Sequence, residues 1–196
     1  DLDQVIKLLN KNPILTQNSN VKKFEKAWSK WLGVKYSVFV NSGSSANLIS
    51  MSIIKNLFPK GEVLVPTLTW VSDIASVIQN NLKFKFIDIN PSNLCMDENE
   101  IIKNVNSDTV AVFITYAQGF NGLSDRLLKF LKKNKILLVE DVCESHGAKY
   151  KRKKLGSYGL ISNFSFYYAH HMSTIEGGMV CTNNYKIYQY LRMFRS

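Results

Sequence analysis

Apolar and polar residues alternate along the chain in two distinct rhythms. Short continuous runs rich in Val, Ile, Leu and Phe occur at Ser37–Val40, Glu62–Val65, Lys83–Asp88, Val110–Thr115 and Ile136–Glu140. Such runs read as strands buried on both faces. Between them, Ser44–Lys55, Thr69–Gln79, Asp97–Val105 and Ser124–Asn134 show helical spacing. Two further strands, near Asn163–Phe166 and Gly178–Thr182, follow with no long helix between them. Strands separated by helices predict an α/β fold, a largely parallel sheet covered on both faces.

The two ends behave differently. Residues 3–32 read as helical and partly amphipathic, with Val5, Ile6, Leu8 and Leu9, then Phe24, Ala27, Trp28 and Leu32. Asn12-Pro13 interrupts the two halves, and Gly33 is placed to cap the second. This divides the chain into an N-terminal helical segment, 1–32, and a main domain, 33–196. At the other end, Tyr185 to Arg195 reads as a helix with Ile187, Leu191 and Phe194 on one stripe and no cap at Ser196. The expectation is a chain that stops inside a larger protein, ahead of a smaller C-terminal domain.

Composition narrows the class. The 196 residues are 45% hydrophobic and 20% charged, which fits a globular protein with its own core and not a disordered one. No apolar run is long enough to span a bilayer, and Asp1 opens an acidic, amphipathic stretch unlike a signal peptide. Cys95, Cys143 and Cys181 are odd in number, far apart and without CxxC spacing, so neither disulfides nor a metal site is expected, and a reducing cytoplasm is. The net charge of +10 comes from dispersed lysines; its sharpest cluster, Lys149 to Lys154, is short and broken by Tyr150. A general bias toward Lys, Asn and Ile explains it better than nucleic-acid binding does, and a basic surface also suits a substrate carrying a diphosphate.

Four features fall at strand ends, where parallel sheets bind ligands. Asn41 to Asn47 reads N-S-G-S-S-A-N and opens a helix, which fits either a phosphate turn or an ordinary helix start capped by Ser44. Trp70 follows V-P-T-L-T and serves either as a stacking face at a site mouth or as core. Asp141 ends a strongly apolar strand and needs a partner, either a protonated ring nitrogen or a Lys or Arg. Ser165 to His171 reads S-F-Y-Y-A-H-H and is followed by Glu176-Gly177-Gly178. Adjacent histidines suit acid–base work; their side chains diverge, which disfavours one shared metal, and a structural hydrogen bond is the expectation for His171.

Taken in order, these motifs resemble the DegT/DnrJ/EryC1/StrS family of sugar aminotransferases and dehydratases. The resemblance covers nearly the whole chain: G-S-S at Gly43, the aromatic at Trp70, E-D-x-x-x-x-x-G-A from Glu140 to Ala148, S-F at Ser165, and E-G-G. It implies the aspartate-aminotransferase-like fold of type I pyridoxal-phosphate enzymes, a large domain with a mainly parallel seven-stranded sheet and flanking helices. It further implies that Gly43, Ser44 and Ser165 hold a cofactor phosphate, that Trp70 stacks on the pyridine ring, that Asp141 pairs with the ring nitrogen, and that Glu144 lies near the ring hydroxyl.

One departure bears on mechanism. Aminotransferases of this family carry Lys five residues after the Ser of the S-F motif, and here that position is His170. A lysine amine tethers pyridoxal phosphate as a Schiff base, and an imidazole cannot. The His-His pattern resembles the family's 3-dehydratases, which use noncovalently held pyridoxamine 5′-phosphate on nucleotide-linked 4-keto-6-deoxysugars, with His170 as the implied base. The implied function is C3 deoxygenation of such a sugar for surface polysaccharide or O-antigen, by a cytoplasmic homodimer. Alternatives are a sugar aminotransferase of the same family and a noncatalytic sugar-nucleotide-binding regulator. Pyridoxamine regeneration has two branches, by transamination from glutamate or by an iron–sulfur cluster with a reductase partner. Cys143 does not separate them.

Overall fold

The computed structural model describes residues 2–196; Asp1, at the head of the N-terminal segment, lies outside them. In chain order the elements are α1 (Leu2–Leu9), α2 (Ser19–Leu32), β1 (Tyr36–Val40), α3 (Gly43–Leu57), β2 (Glu62–Pro66), α4 (Val71–Gln79), β3 (Lys83–Ile87), α5 (Glu98–Asn104) and β4 (Thr109–Thr115). A 3₁₀ turn at Ala117–Gly119 leads to α6 (Asp125–Lys133), β5 (Leu137–Asp141), a short hairpin of β6 (Lys149–Tyr150) and β7 (Lys153–Lys154), then β8 (Ile161–Ser165), β9 (Gly178–Thr182) and α7 (Tyr185–Arg195).

Seven strands form one sheet in the order β1-β9-β8-β5-β4-β2-β3. The β2–β3, β2–β4, β4–β5 and β5–β8 pairs are parallel. β9 is antiparallel to both its neighbours, β8 and β1. Every residue of β8 and β9, and all but the first of β5, is buried, as a sheet covered on both faces requires. One apolar cluster lies on each face. Trp28 and Leu32 of α2 join Phe164, Phe166 and Met179 on one; Met51, Ile53 and Ile54 of α3 join Val65, Phe113 and Val139 on the other.

Helix boundaries follow local chemistry. α2 starts at Asn18, whose side chain accepts from the Asn20 and Val21 N–H groups, and stops at Gly33, whose φ of 87° suits glycine. α3 is capped by Ser42, whose hydroxyl accepts from the Ser45 N–H. That corrects the expectation of Ser44 as cap. The chain is already helical at Gly43, so Ser44 lies inside the first turn. Among the described residues no helix is long and apolar enough to cross a membrane.

Candidate functional site

The parallel strands all point their carboxyl ends toward one edge, and the motif residues gather there. Register ties the edge together: Thr115 lies opposite Asp141, Asp141 opposite Asn163, and both Ser165 and Val40 opposite Gly178. The loops after β1, β2, β4, β5 and β8 therefore share one rim.

The turn after β1 is packed onto the end of β8. A Cβ placed on Gly43 would sit 2.6 Å from Ser165 Cβ and 3.3 Å from Cys143 Sγ, so only glycine lets these three segments meet. Among the described residues the N–H groups of Gly43 and Ser44 donate no hydrogen bond, because Ser42 serves only Ser45 and Ala46. Two free donors at the start of a 15-residue helix, beside the Ser165 hydroxyl, form a pocket suited to an anion.

Asp141 ends β5 and is buried. Its Oδ1 accepts from the Cys143 N–H at 2.9 Å, and its Oδ2 from Asn47 Nδ2 at 3.2 Å. None of the ion pairs among the described residues includes it, which removes the Lys or Arg partner that the sequence left open. Glu144, one turn later, accepts from the Gln118 N–H at 2.9 Å and so ties the 3₁₀ turn after β4 to the same rim. Gln118 adopts φ 54°, a left-handed conformation that this bond helps to hold. Trp70 is 69% exposed where α4 begins, at the mouth of the site and not in the core.

The loop after β8 folds back on itself, with the His170 N–H donating to the Tyr167 carbonyl at 3.0 Å. His170 is half-buried, and burial pulls its imidazole below the usual value; Glu144 and Asp141 pull the other way, so both carboxylates lie in its field. His171 is exposed and, among the described residues, forms no side-chain hydrogen bond, contrary to expectation. Nor do the two rings part cleanly. The His146 ring centroid is 6.3 Å from that of His170 and 5.4 Å from that of His171.

His146 falls at an unspecified position of the Glu140–Ala148 motif. It packs against Trp28, Phe164 and Phe166, and neither ring nitrogen has a hydrogen-bond partner. Burial, then the two neighbouring histidines, lower its pKa to about 4; the Ser165 carbonyl opposes this without completing a bond. It is therefore neutral at pH 7. Asn47, Asp73 and Asn163, also unmarked by any motif, form a buried polar network behind Asp141. A groove of about 560 Å³ between α2, β1 and α7, lined by Lys22, Lys26 and Arg192, contains none of the rim residues.

A model of the DegT/DnrJ/EryC1/StrS aminotransferase family matches residues 1–196. The chain belongs to this family. Among DegT/DnrJ/EryC1/StrS proteins it is 34% identical over 188 residues to the GDP-4-keto-6-deoxy-D-mannose 3-dehydratase of Escherichia coli O55:H7, covering 93% of this chain and 48% of that one. It is 32% identical over 201 residues to the enzyme of the same name from Yersinia pseudotuberculosis, covering 100% of this chain and 51% of that one. The solved structure of an E. coli GDP-4-keto-6-deoxy-D-mannose-3-dehydratase with bound hydrated PLP matches with a TM-score of 0.92 at 32% identity, over 96% of this chain and 50% of that one. The chain spans about half the length of the curated relatives it matches.

Proposed function

We propose that the protein is a pyridoxamine/pyridoxal-phosphate-dependent 3-dehydratase that removes the C3 hydroxyl from a nucleotide-linked 4-keto-6-deoxyhexose, in the synthesis of surface polysaccharide. The single observation that carries this reading is His170. It occupies the position where a family aminotransferase has its lysine, and the Glu144 and Asp141 carboxylates act on its ring. Likeness to two GDP-4-keto-6-deoxy-D-mannose 3-dehydratases makes that GDP-sugar the first substrate to try.

The rim suits the cofactor. Free N–H groups on Gly43 and Ser44, with the Ser165 hydroxyl, would hold its phosphate. Asp141, a buried carboxylate without a cation, would pair with the ring nitrogen; Glu144 would lie by the ring hydroxyl, and exposed Trp70 would offer its face to the ring. When bound, the cofactor supplies an amine to engage the sugar ketone and a ring that withdraws electrons. Asp141 favours a protonated ring nitrogen and so preserves that withdrawal. His170, pulled toward its neutral form by burial, accepts a proton at a ring nitrogen at pH 7. As imidazolium it then protonates the leaving hydroxyl.

Three free cysteines fit a cytoplasmic protein. The apolar residues that α1 leaves exposed, such as Leu2, Val5 and Leu9, fit burial in a homodimer.

The test is covalent attachment. The cofactor-loaded protein is reduced with borohydride and its intact mass measured. No pyridoxyl adduct is expected on the wild type, and one on His170→Lys. A stable adduct on a lysine of the cofactor pocket in the wild type overturns the reading and favours an aminotransferase.

A further inference from the structure

Helix α4 begins with a carboxylate that the reading above leaves without a task. Asp73 is 0% exposed. Its Oδ2 accepts from Thr115 Oγ1 at 2.6 Å and from the Thr69 hydroxyl, and those two hydroxyls lie 2.7 Å apart. Its Oδ1 accepts from Asn47 Nδ2 at 2.5 Å, the same amide that reaches Asp141 Oδ2. Asn47 is held from its other side as well. Its Oδ1 accepts from Asn163 Nδ2 at 2.9 Å, and Asn163 Oδ1 accepts from Ser50 Oγ at 2.7 Å. Neither amide can turn over without setting oxygen against oxygen, so the network has one consistent orientation.

Two buried carboxylates thus flank one amide, and no Lys, Arg or His among the described residues forms an ion pair with either. Two unpaired charges cannot both persist in such a place. The more deeply buried member, Asp73, takes the proton on Oδ2, where one of the two threonine hydroxyls turns to donate to the other and accepts from the carboxyl. Burial raises the Asp73 carboxyl well above the usual carboxylate range, Asp141 raises it further, and the Thr115 and Thr69 hydroxyls oppose. Two other titratable groups act on the pair: Cys143, whose thiol burial keeps protonated, and His170, which Asp141 pulls toward its charged form.

We propose that Asp73 is a positioning residue for Asp141: the Asn47 bridge fixes the Asp141 carboxylate, and the pair presents one negative charge to the cofactor ring nitrogen. This rests on the assignment of Asp141 to that nitrogen. One buried charge then meets one ring cation on binding. Two would leave the second unpaired, and none would leave the ring nitrogen without a partner.

The test uses the full chain, free and loaded with pyridoxal phosphate. In the free protein, folding takes up one proton at Asp73 over the range between an ordinary carboxylate pKa and its raised value. The unfolding constant of the wild type, relative to Asp73→Asn, is expected to rise about tenfold per pH unit across that range. Parallel curves for the two proteins overturn the proposal. Should Asp73→Asn fail to fold, a ¹³C carboxyl titration of the wild type decides: Asp73 staying protonated where exposed aspartates are ionised supports the proposal, and ordinary titration overturns it. In the loaded protein, Asp73→Ala, which removes the acceptor that holds Asn47, is expected to bind pyridoxal phosphate within a few-fold of wild type but with a displaced pH dependence of the bound-cofactor absorbance. An absorbance profile identical to wild type overturns the proposal. If Asp141→Asn leaves that absorbance unchanged, the assignment of Asp141 fails. The measurements on the free protein then still report whether Asp73 carries the proton.

Discussion

Replacing His146 with Phe isolates one buried titration. In the folded protein its imidazole has a pKa of about 4 against an ordinary 6.5, with burial as the main cause. Between those two values the unfolded chain binds a proton that the folded chain does not. Stability therefore rises with pH through this window: the contribution is complete above about 6.5 and is lost as pH falls toward 4. At about 1.36 kcal/mol per pH unit the gap bounds the effect at about 3 kcal/mol, and solvent reaching the open side of the ring makes this an upper figure. Phe fills a similar shape among Trp28, Phe164 and Phe166 and removes two unpartnered nitrogens, so the variant should be at least as stable as wild type at pH 4.5. Urea unfolding of both proteins at pH 7, 5.5 and 4.5 reads the effect as a difference. The difference is needed because buried Glu140, pushed up to about 7, titrates in the opposite sense: its contribution falls as pH rises from the ordinary carboxylate value to about 7. The wild type should lose about 1–3 kcal/mol more than His146→Phe on going from pH 7 to 4.5. Parallel curves would refute the argument that burial holds His146 neutral.

Gly43→Ala should destabilise by about 1–3 kcal/mol, because its Cβ meets Ser165 Cβ at 2.6 Å; Ser165→Gly should recover much of that loss in a double-mutant cycle, and additive effects in urea unfolding would count against the contact. Asp141→Asn should cut turnover far more than it lowers the melting temperature, since the amide keeps the side-chain volume but not the charge; unchanged turnover would show that Asp141 does not face the ring. His170→Asn should cost about 10²–10⁴-fold in rate with the cofactor still bound, and His171→Asn much less. The reverse order would move the base to His171, which lies nearer the His146 ring.

Much of the fold was legible because a two-sided parallel sheet writes itself as continuous apolar runs. Gly178–Thr182 and Tyr185–Arg195 fall where the sequence put them, and the other strand boundaries move by no more than about two residues. The direction of β9 was not legible, because period-2 alternation and apolar content are the same for either direction. The β6–β7 hairpin escaped notice because Lys149 to Lys154 is almost all charged and reads as surface loop. The helix cap went to Ser44 because Ser42, Ser44 and Ser45 all carry hydroxyls, and only backbone geometry chooses Ser42. Motif order located Gly43, Asp141, Ser165 and His170 on one rim, since each ends or follows a strand. Asp73 was invisible for a different reason. An acidic residue in the first turn of a helix is ordinary on a surface, and its meaning here lies in Asn47, Thr115 and Asp141, all distant in sequence. His146 was hidden likewise, because its aromatic neighbours come from α2, β8 and the loop after β8.

The central claim is that a histidine-based site removes an oxygen where its relatives with lysine install an amine. The most direct measurement is the product formed when the full-length protein is incubated with pyridoxal phosphate, glutamate and GDP-4-keto-6-deoxymannose, identified by mass and NMR. The account predicts loss of the C3 hydroxyl with the C4 ketone retained. Accumulation of a 4-amino sugar with the C3 hydroxyl intact would contradict it.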